Sequence, residues 1–390
     1  MISTKQLTAL FLCGVVAWII TQGLLSLLPV YAIQLGADPA STGNYLSLAF
    51  GALVVGTIAA GWFSDRFQRR RVMLIVAGLA SIPLTWLMGQ VTAFWQLAVL
   101  TALVWFFIGM TFTTISILAG LFAGETERGK VFGILAVNTS LGALIGGTIS
   151  GRLVDQWGYP GLFLAAALFW VLQPVLALLI EDKEAIQPQS DMVISSPTNF
   201  GWPFYLFLLA FVIAFASNFF SLLGRPLMMN DAGFDPVAIA GVTAVGGAVS
   251  IPMPILIGWL SDRLGRYGLI IFCFLMSAAG LALLAISVTL VHYWVSSILL
   301  AGTGVSLAVG PALVTDLVPP ESLGKALAWF GFAPSTGGII GFATTGYAIQ
   351  TFGTTITFIA GGVLTLIAIA FVMQVQRARQ PALADAVPFE

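Results

Sequence analysis

Gly61-Trp62-Phe63-Ser64-Asp65-Arg66 and, 197 positions later, Gly258-Trp259-Leu260-Ser261-Asp262-Arg263 are one pattern written twice. The same shift relates Gly36-Ala37-Asp38-Pro39 to Gly233-Phe234-Asp235-Pro236. A shift of 195 relates Gly129-Lys130 to Gly324-Lys325, and Gly142, Gly146, Gly151 and Gly158 to Gly337, Gly341, Gly346 and Gly353. Order and direction are kept, so the chain reads as two parallel halves. A parallel repeat of apolar halves is a common transporter architecture, with the substrate site between the halves near the bilayer midplane. Small residues four apart share one helix face and let helices approach closely. These glycines therefore read as packing positions, and their repeated spacing points to an interface that moves.

Composition identifies the solvent. Apolar residues make up 59% of the 390 and charged residues 8%, against about 25% charged in a soluble domain. Charge at the bilayer centre is costly, so spans appear as charge-free stretches. Nine such stretches run 6–37, 39–64, 72–124, 131–151, 156–180, 192–224, 236–261, 267–315 and 326–376. One crossing takes about 20 residues. Six stretches fit one span each and the three longest fit two. This predicts an all-α integral membrane protein of twelve spans in two six-helix bundles. The hidden turns are expected near Gly89-Gln90, near His292 and at Gln350 to Gly353.

With Lys5 placed on the cytoplasmic side, alternation puts thirteen of the fifteen Lys and Arg inside and only Arg152 and Arg225 outside or in the outer half. That is a strong positive-inside bias. It predicts a multi-pass protein of the cell (inner) membrane with both termini cytoplasmic. The first apolar segment is too long, and lacks the small-residue cleavage pattern, for a cleavable signal peptide. The expected organisation is an N-terminal bundle over 1–180, a polar linker with two prolines over 181–202, a C-terminal bundle over 203–376 and a tail over 377–390. The net charge of −1 implies no nucleic-acid partner. Cys13 and Cys273 fall inside spans and read as packing residues, with no disulfide or metal implied. No phosphate-binding loop of the Gly-x-x-x-x-Gly-Lys-Ser/Thr kind occurs, so ATP is not expected to drive the protein directly. No cofactor and no enzymatic role is expected.

Gly61-x-x-x-Asp65-Arg66-x-x-Arg69-Arg70 resembles the signature loop between spans 2 and 3 of the major facilitator superfamily. Gly258-x-x-x-Asp262-Arg263-x-Gly265-Arg266 resembles its echo between spans 8 and 9. Leu28-Pro29-Val30-Tyr31-Ala32 and Glu127-Arg128-Gly129-Lys130 are similar to the drug-efflux branch. The chain departs from that pattern at three places. Gln68 replaces a glycine of the loop. Trp105 stands four residues before Gly109 where proton-coupled members often carry arginine. Ala143 follows Gly142 where a proline is common. The resemblance implies that Asp65 sits near the start of span 11, around Ser322 to Ala326. A carboxylate at a helix N-terminus gains about 0.3–1 kcal/mol when exposed. Gly61, Asp65, Arg66, Arg69, Gly258, Asp262 and Arg263 then form a gate, with topology alone as the blander reading of the arginines.

The resemblance also implies a pathway along spans 1, 4, 7 and 10. Trp18, Gln22 and Ser26 share one face of span 1. Asn218, Ser221 and Arg225 share one face of span 7. Span 4 offers Trp105 and Phe106, span 10 offers Ser306, and Asn138 of span 5 is a further candidate. Lipid contact or core packing is the competing account of each aromatic. Gln22 and Asn218 stand out because an unsatisfied amide in hydrocarbon is expensive. Arg225 aligns with Leu28 in the repeat, and an ionisable residue inside a span is a functional candidate by default. Its alternatives are snorkelling, or pairing with Asp231 or Asp235. No acidic residue is expected mid-membrane, which favours a neutral, amphipathic or anionic substrate and leaves proton coupling open. The expected function is secondary active transport of a small organic molecule by a monomer in the lipid bilayer, with efflux ahead of uptake symport or facilitated diffusion. A transport-inactive receptor or scaffold on the same fold is the other class, since fold does not dictate function.

Overall fold

The structure, a computed structural model, describes residues 3–123, 128–182, 200–253, 256–257, 260, 263, 265–319 and 322–384. It contains no strand among these residues. In hydrocarbon every backbone N–H and C=O must be satisfied within the segment, and a helix does this without a partner. Nine helices among the described residues are long and apolar enough to cross a membrane, and Pro236–Ser250 is a shorter apolar one.

One unit gathers residues 1–189 with 226–251. It holds α1 (Thr4–Gln34), α2 (Pro39–Phe67), α3 (Arg70–Met88), α4 (Phe94–Phe122), α5 (Arg128–Trp170), the short α6 (Leu172–Ala177) and α8 (Pro236–Ser250). α5 is two helices joined at a kink at Gly158, whose φ is +66°. Glycines set the close contacts. A Cβ on Gly142 would stand 2.6 Å from Trp18 of α1, and one on Gly146 would stand 2.9 Å from the Gly23 nitrogen. On its other side α5 meets α8, where a Cβ on Gly147 would stand 2.6 Å from Ala244 and one on Gly247 2.5 Å from Leu144. α1 lies inside, with 67% of its apolar window buried, against 22% for α2.

The other unit takes residues 190–225 and 252–390. It holds most of α7 (Trp202–Asp231), α9 (Arg266–Ala285), α10 (Leu290–Val305), a 3₁₀ turn (Ser306–Ala308), α11 (Gly310–Leu317) and α12 (Leu323–Ala384). α12 is again two helices meeting at a glycine kink, Gly353 with φ +80°. Gly337 and Gly341 lie against α7, where their Cβ atoms would stand 2.7 Å from Phe215 and 2.6 Å from the Ala216 carbonyl. Aromatic packing fills this unit, with Phe211 4.8 Å from Phe330 and 5.3 Å from Phe274 between ring centres.

The repeat is visible in the turns. Gly36 and Gly233 both take positive φ, +87° and +79°. In each, the glycine N–H bonds the carbonyl three residues back and the next N–H bonds the carbonyl five residues back. That is the Schellman closure, which needs a left-handed residue. Asp38 and Asp235 then cap the next helix, accepting from Ser41 N at 2.6 Å and Ala238 N at 2.7 Å, and proline opens each helix.

The turn expected near Gly89-Gln90 is present between α3 and α4. The one expected near His292 falls slightly earlier, at 286–289. His292 lies in the first turn of α10 and its Nδ1 accepts from Val288 N at 3.3 Å.

Candidate functional site

On α1 the expected polar face is assembled. Trp18 stacks on Phe112 of α4, with ring centres 4.4 Å apart at 21°. Ser26 is buried, donates to the Gly23 carbonyl at 2.7 Å and lies 3.5 Å from the Ser150 hydroxyl of α5. Gln22, between them, is half-buried and has no hydrogen-bond partner among the described residues. An amide that is neither exposed nor bonded keeps its donors and acceptor for something else.

Asn138 of α5 is buried over Gly14 of α1, and its Oδ1 has no partner among the described residues. A side chain larger than hydrogen at position 14 would collide with that amide. Trp105 is fully buried, with its Nε1 also without a partner. Phe106 turns elsewhere, packing against the apolar cluster of Ala60, Met73, Ala77 and Met110. One unit thus brings together Trp18, Gln22, Ser26 and Asn138, and places Phe106 apart from them.

In the other unit the amides and hydroxyls are spent on helix backbones. Asn218 Nδ2 donates to the Leu300 carbonyl of α10 at 3.0 Å, and Ser221 donates to the Asn218 carbonyl. Ser306 is buried in the 3₁₀ turn and donates to the Thr303 carbonyl. Arg225 is buried, and its Nη1 reaches Ser297 of α10 at 3.4 Å. It therefore points into the bundle rather than out to an interface.

Around the signature loop, Asp65, Arg66 and Arg69 are exposed, and Gly61 has open space at its Cα. In the echo, Arg263 is exposed, while Gly258 and Asp262 lie outside the described residues. Arg266 binds Asp316 at 2.6 Å and the Ala312 carbonyl at 2.7 Å.

Two described cavities contain none of these residues. One of about 300 Å³ opens at the α3–α4 turn, beside Gln90, Trp95 and Gln96. The other, about 20 Å³ and wholly apolar, lies between α9 and α10. No group of three or more His, Cys, Asp or Glu that could hold a metal occurs among the described residues.

The family model of the Major Facilitator Superfamily matches residues 10–307 and 206–388. The chain belongs to this superfamily. It is a multi-pass membrane transporter. A multi-drug resistance efflux pump PmrA homolog of Lactococcus lactis subsp. lactis (strain IL1403) is 26% identical over 341 residues, covering 82% of this chain and 83% of the relative. The multidrug resistance protein MdtG of Klebsiella pneumoniae (strain 342) is 28% identical over 272 residues, 64% of each chain. A gallate transporter of Pseudomonas putida is 22% identical over 268 residues, 58% of this chain and 59% of that one. A bacterial homolog to the human lysosomal transporter Spinster, solved in an inward-facing and occupied conformation, superposes with a TM-score of 0.77 at 15% identity over 95% of this chain and 96% of that chain.

In this superfamily member the departure at Gln68 has a visible consequence. Gln68 closes α2 in a left-handed conformation, φ +52°, the only non-glycine described with positive φ. Its counterpart 197 residues on, Gly265, has φ +87°. The backbone position survives although the glycine does not.

Several structural side chains gave no signal in the sequence. Arg70 is buried and its Nε donates to Ser64 at 2.8 Å. Asp182 accepts from the Arg71 backbone N–H at 3.1 Å, covering the open N-terminus of α3. Gln6 exchanges two hydrogen bonds with the Glu181 backbone. Gln173 is buried and donates to Thr111 at 2.9 Å. Except for Arg70, each needs a partner in a distant segment of the chain, and nothing local announces it.

Proposed function

We propose that this transporter exports a small organic molecule by alternating access between two six-helix bundles, residues 1–180 and 203–376, joined by a linker over 181–202. In this reading the kinks at Gly158 and Gly353 and the short helix α8 complete a twelve-span count, with a tail over 377–390. Both termini are cytoplasmic and the host is the cell (inner) membrane. The observation that carries export is the relative named as a multi-drug resistance efflux pump, which aligns over 82% of the chain.

The substrate meets Trp18, Gln22, Ser26, Trp105 and Asn138 of the first bundle, and Asn218, Ser221, Arg225 and Ser306 of the second. Gln22 supports this most, because a half-buried amide with no partner among the described residues, beside a stacked Trp–Phe pair, suits an apolar ligand with one polar group. Asp65 acts at the gate, favouring the closed cytoplasmic side when it meets a helix N-terminus. Arg66, Arg69 and Arg263 hold the loops at the membrane surface.

The test is flux of a fluorescent organic substrate in proteoliposomes, with and without a proton gradient. Export accelerated by the gradient, and slowed in Gln22→Ala and Asp65→Asn at unchanged expression, is the expected result. No flux of any probe in folded protein would overturn it in favour of a receptor. A second reading, uptake of an organic acid, is favoured by the gallate transporter relative and by the cation at Arg225. It predicts accumulation of an aromatic carboxylate in the same vesicles.

A further inference from the structure

The pocket of about 300 Å³ at the α3–α4 turn takes no part in the transport reading. Its walls are apolar, from Leu87 of α3 and Trp95, Val99 and Leu100 of α4, and two amides, Gln90 and Gln96, stand at its turn end. Leu100 is six residues past the start of α4, about 9 Å along the helix. The pocket is therefore polar at the turn and apolar one to two helical turns further in.

The amides are only partly used. Gln96 Oε1 accepts from Thr92 N at 2.9 Å and from Ala93 N at 3.2 Å, closing the start of α4. Its Nε2 has no partner among the described residues, and neither does the side-chain amide of Gln90. An amide nitrogen carries two N–H donors. The pocket thus offers free donors at one end and hydrocarbon at the other.

Charge is absent. No Asp, Glu, Lys or Arg occurs from 72 to 124, so the whole α3–α4 hairpin is uncharged. Its exposed side chains are apolar as well, among them Leu79, Trp86, Trp95 and Leu103. In a membrane protein such a surface meets lipid chains, and tryptophan gathers at the level of the headgroups. The pocket opens on that surface, so its polar end lies where phosphate and ester oxygens are.

The second half repeats the cap without the donors. At a shift of 196, the Val288 N–H bonds His292 Nδ1 as the Thr92 N–H bonds Gln96 Oε1. In that register Gln90 becomes Ile286 and Trp95 becomes Val291. The turn is common to both halves, and the free amides belong to the first.

We propose that this pocket holds one diacyl phospholipid as a bound molecule. Gln90 and Gln96 donate to its phosphate and ester oxygens, and one acyl chain runs past Leu87, Val99 and Leu100. In the topology proposed above the lipid belongs to the outer leaflet, and only that placement rests on the transport reading. Because the site is uncharged, it holds zwitterionic and anionic phospholipids alike, whereas a basic cluster would favour the anionic ones.

Native mass spectrometry of the full-length protein, released from detergent after addition of dioleoyl phosphatidylcholine, tests this without any transport substrate. The parent should retain one lipid. Gln96→Glu keeps oxygens for the cap but loses the N–H donors, and Gln90→Leu removes the other amide. Each should weaken retention by about fivefold or more, the worth of one neutral hydrogen bond. Val99→Trp, which fills the pocket, should abolish retention. Leu168→Trp, at an exposed position of α5, should leave it unchanged. Dioleoyl phosphatidylglycerol should be retained as well as the phosphatidylcholine, with no dependence on salt. The proposal is overturned by a parent that retains no lipid, by equal retention in the three pocket variants, or by a salt-dependent preference for phosphatidylglycerol. A dimer that disappears in Val99→Trp would also overturn it, making the pocket a contact between copies of the chain. Flux measurements address the transport reading separately, so either idea can fail alone.

Discussion

On α1, Trp18 lies over Gly142 and Gly23 over Gly146; on α7, Phe215 lies over Gly337, and Ala216 and Phe219 over Gly341. Shifting the first set by 197 and 195 residues gives the second set almost position for position. The polar groups laid on these seams do not repeat. Gln22 and Asn138 of the first half correspond to Phe219 and Ala333, and Arg225 of the second half corresponds to Leu28. Gln22 and the Asn138 Oδ1 have no partner among the described residues, whereas Asn218 of the second half is tied to Leu300. Backbone contact is thus the shared inheritance, and polarity is where each half was adapted.

The largest effect is expected where the halves agree. Gly146→Val and Gly341→Val should each destabilise by about 3 kcal/mol, because the added methyl groups meet backbone that cannot yield. Thermal unfolding in detergent should show matched losses, whereas Gly133→Ala, with open space around it, should be neutral. A loss in only one of the seam variants would mean that the repeat in sequence is not a repeat of joints.

The next effect lies where the halves differ. Arg225→Leu restores the residue of the first half and removes a buried charge. It should raise stability by about 1 kcal/mol or more, as replacing buried ionic groups by apolar ones often does. Flux of an anionic substrate should fall about tenfold more than flux of a neutral one, a difference of about 1.4 kcal/mol. Equal losses for both substrates, with lowered stability, would make Arg225 a structural residue.

Much of this was legible from sequence because the signals are local. Gly-x-Asp-Pro encodes a left-handed closure, a cap and a helix start within four residues, and both copies form. The charge-free stretches encode the spans for the same reason. What stayed hidden depends on distant partners or on how an apolar run bends. Gln173, Gln6 and Asp182 read as an ordinary span residue, a terminal residue and a linker residue, yet each bonds a distant segment of the chain. The break at 306–309 lies in a 49-residue uncharged stretch, where Gly310-Pro311 was its only sign. Gln22 and Asn218 read alike in sequence, and the structure separates them by whether a carbonyl is within reach.

Smaller effects probe the paired turns. Asp38→Ala and Asp235→Ala should each cost about 1 kcal/mol, the usual value of a lost helix cap. The Ser41 backbone N–H holds the Asp38 carboxyl below the usual carboxylate range. Its share of stability is therefore complete above about pH 4 and fades as pH falls through the lower folded value. Asp38→Ala should flatten the acid limb of the stability profile, below the usual carboxylate range. The smallest effect belongs to Gln68→Gly, which relieves a left-handed side chain but frees the unfolded chain. A net change within about 0.5 kcal/mol of zero is expected, with transport intact.

The central claim, that the two halves run parallel through the membrane, is tested most directly by thiol labelling at matched positions. Cys13 and Cys273 are buried and give little background. Gln34→Cys and Asp231→Cys replace exposed residues 197 apart, as do Arg66→Cys and Arg263→Cys. With a membrane-impermeant maleimide on intact cells and on inverted vesicles, positions 34 and 231 should label only from outside, and 66 and 263 only from inside. Labelling of either matched pair from opposite faces would contradict the parallel repeat and the transporter architecture built on it.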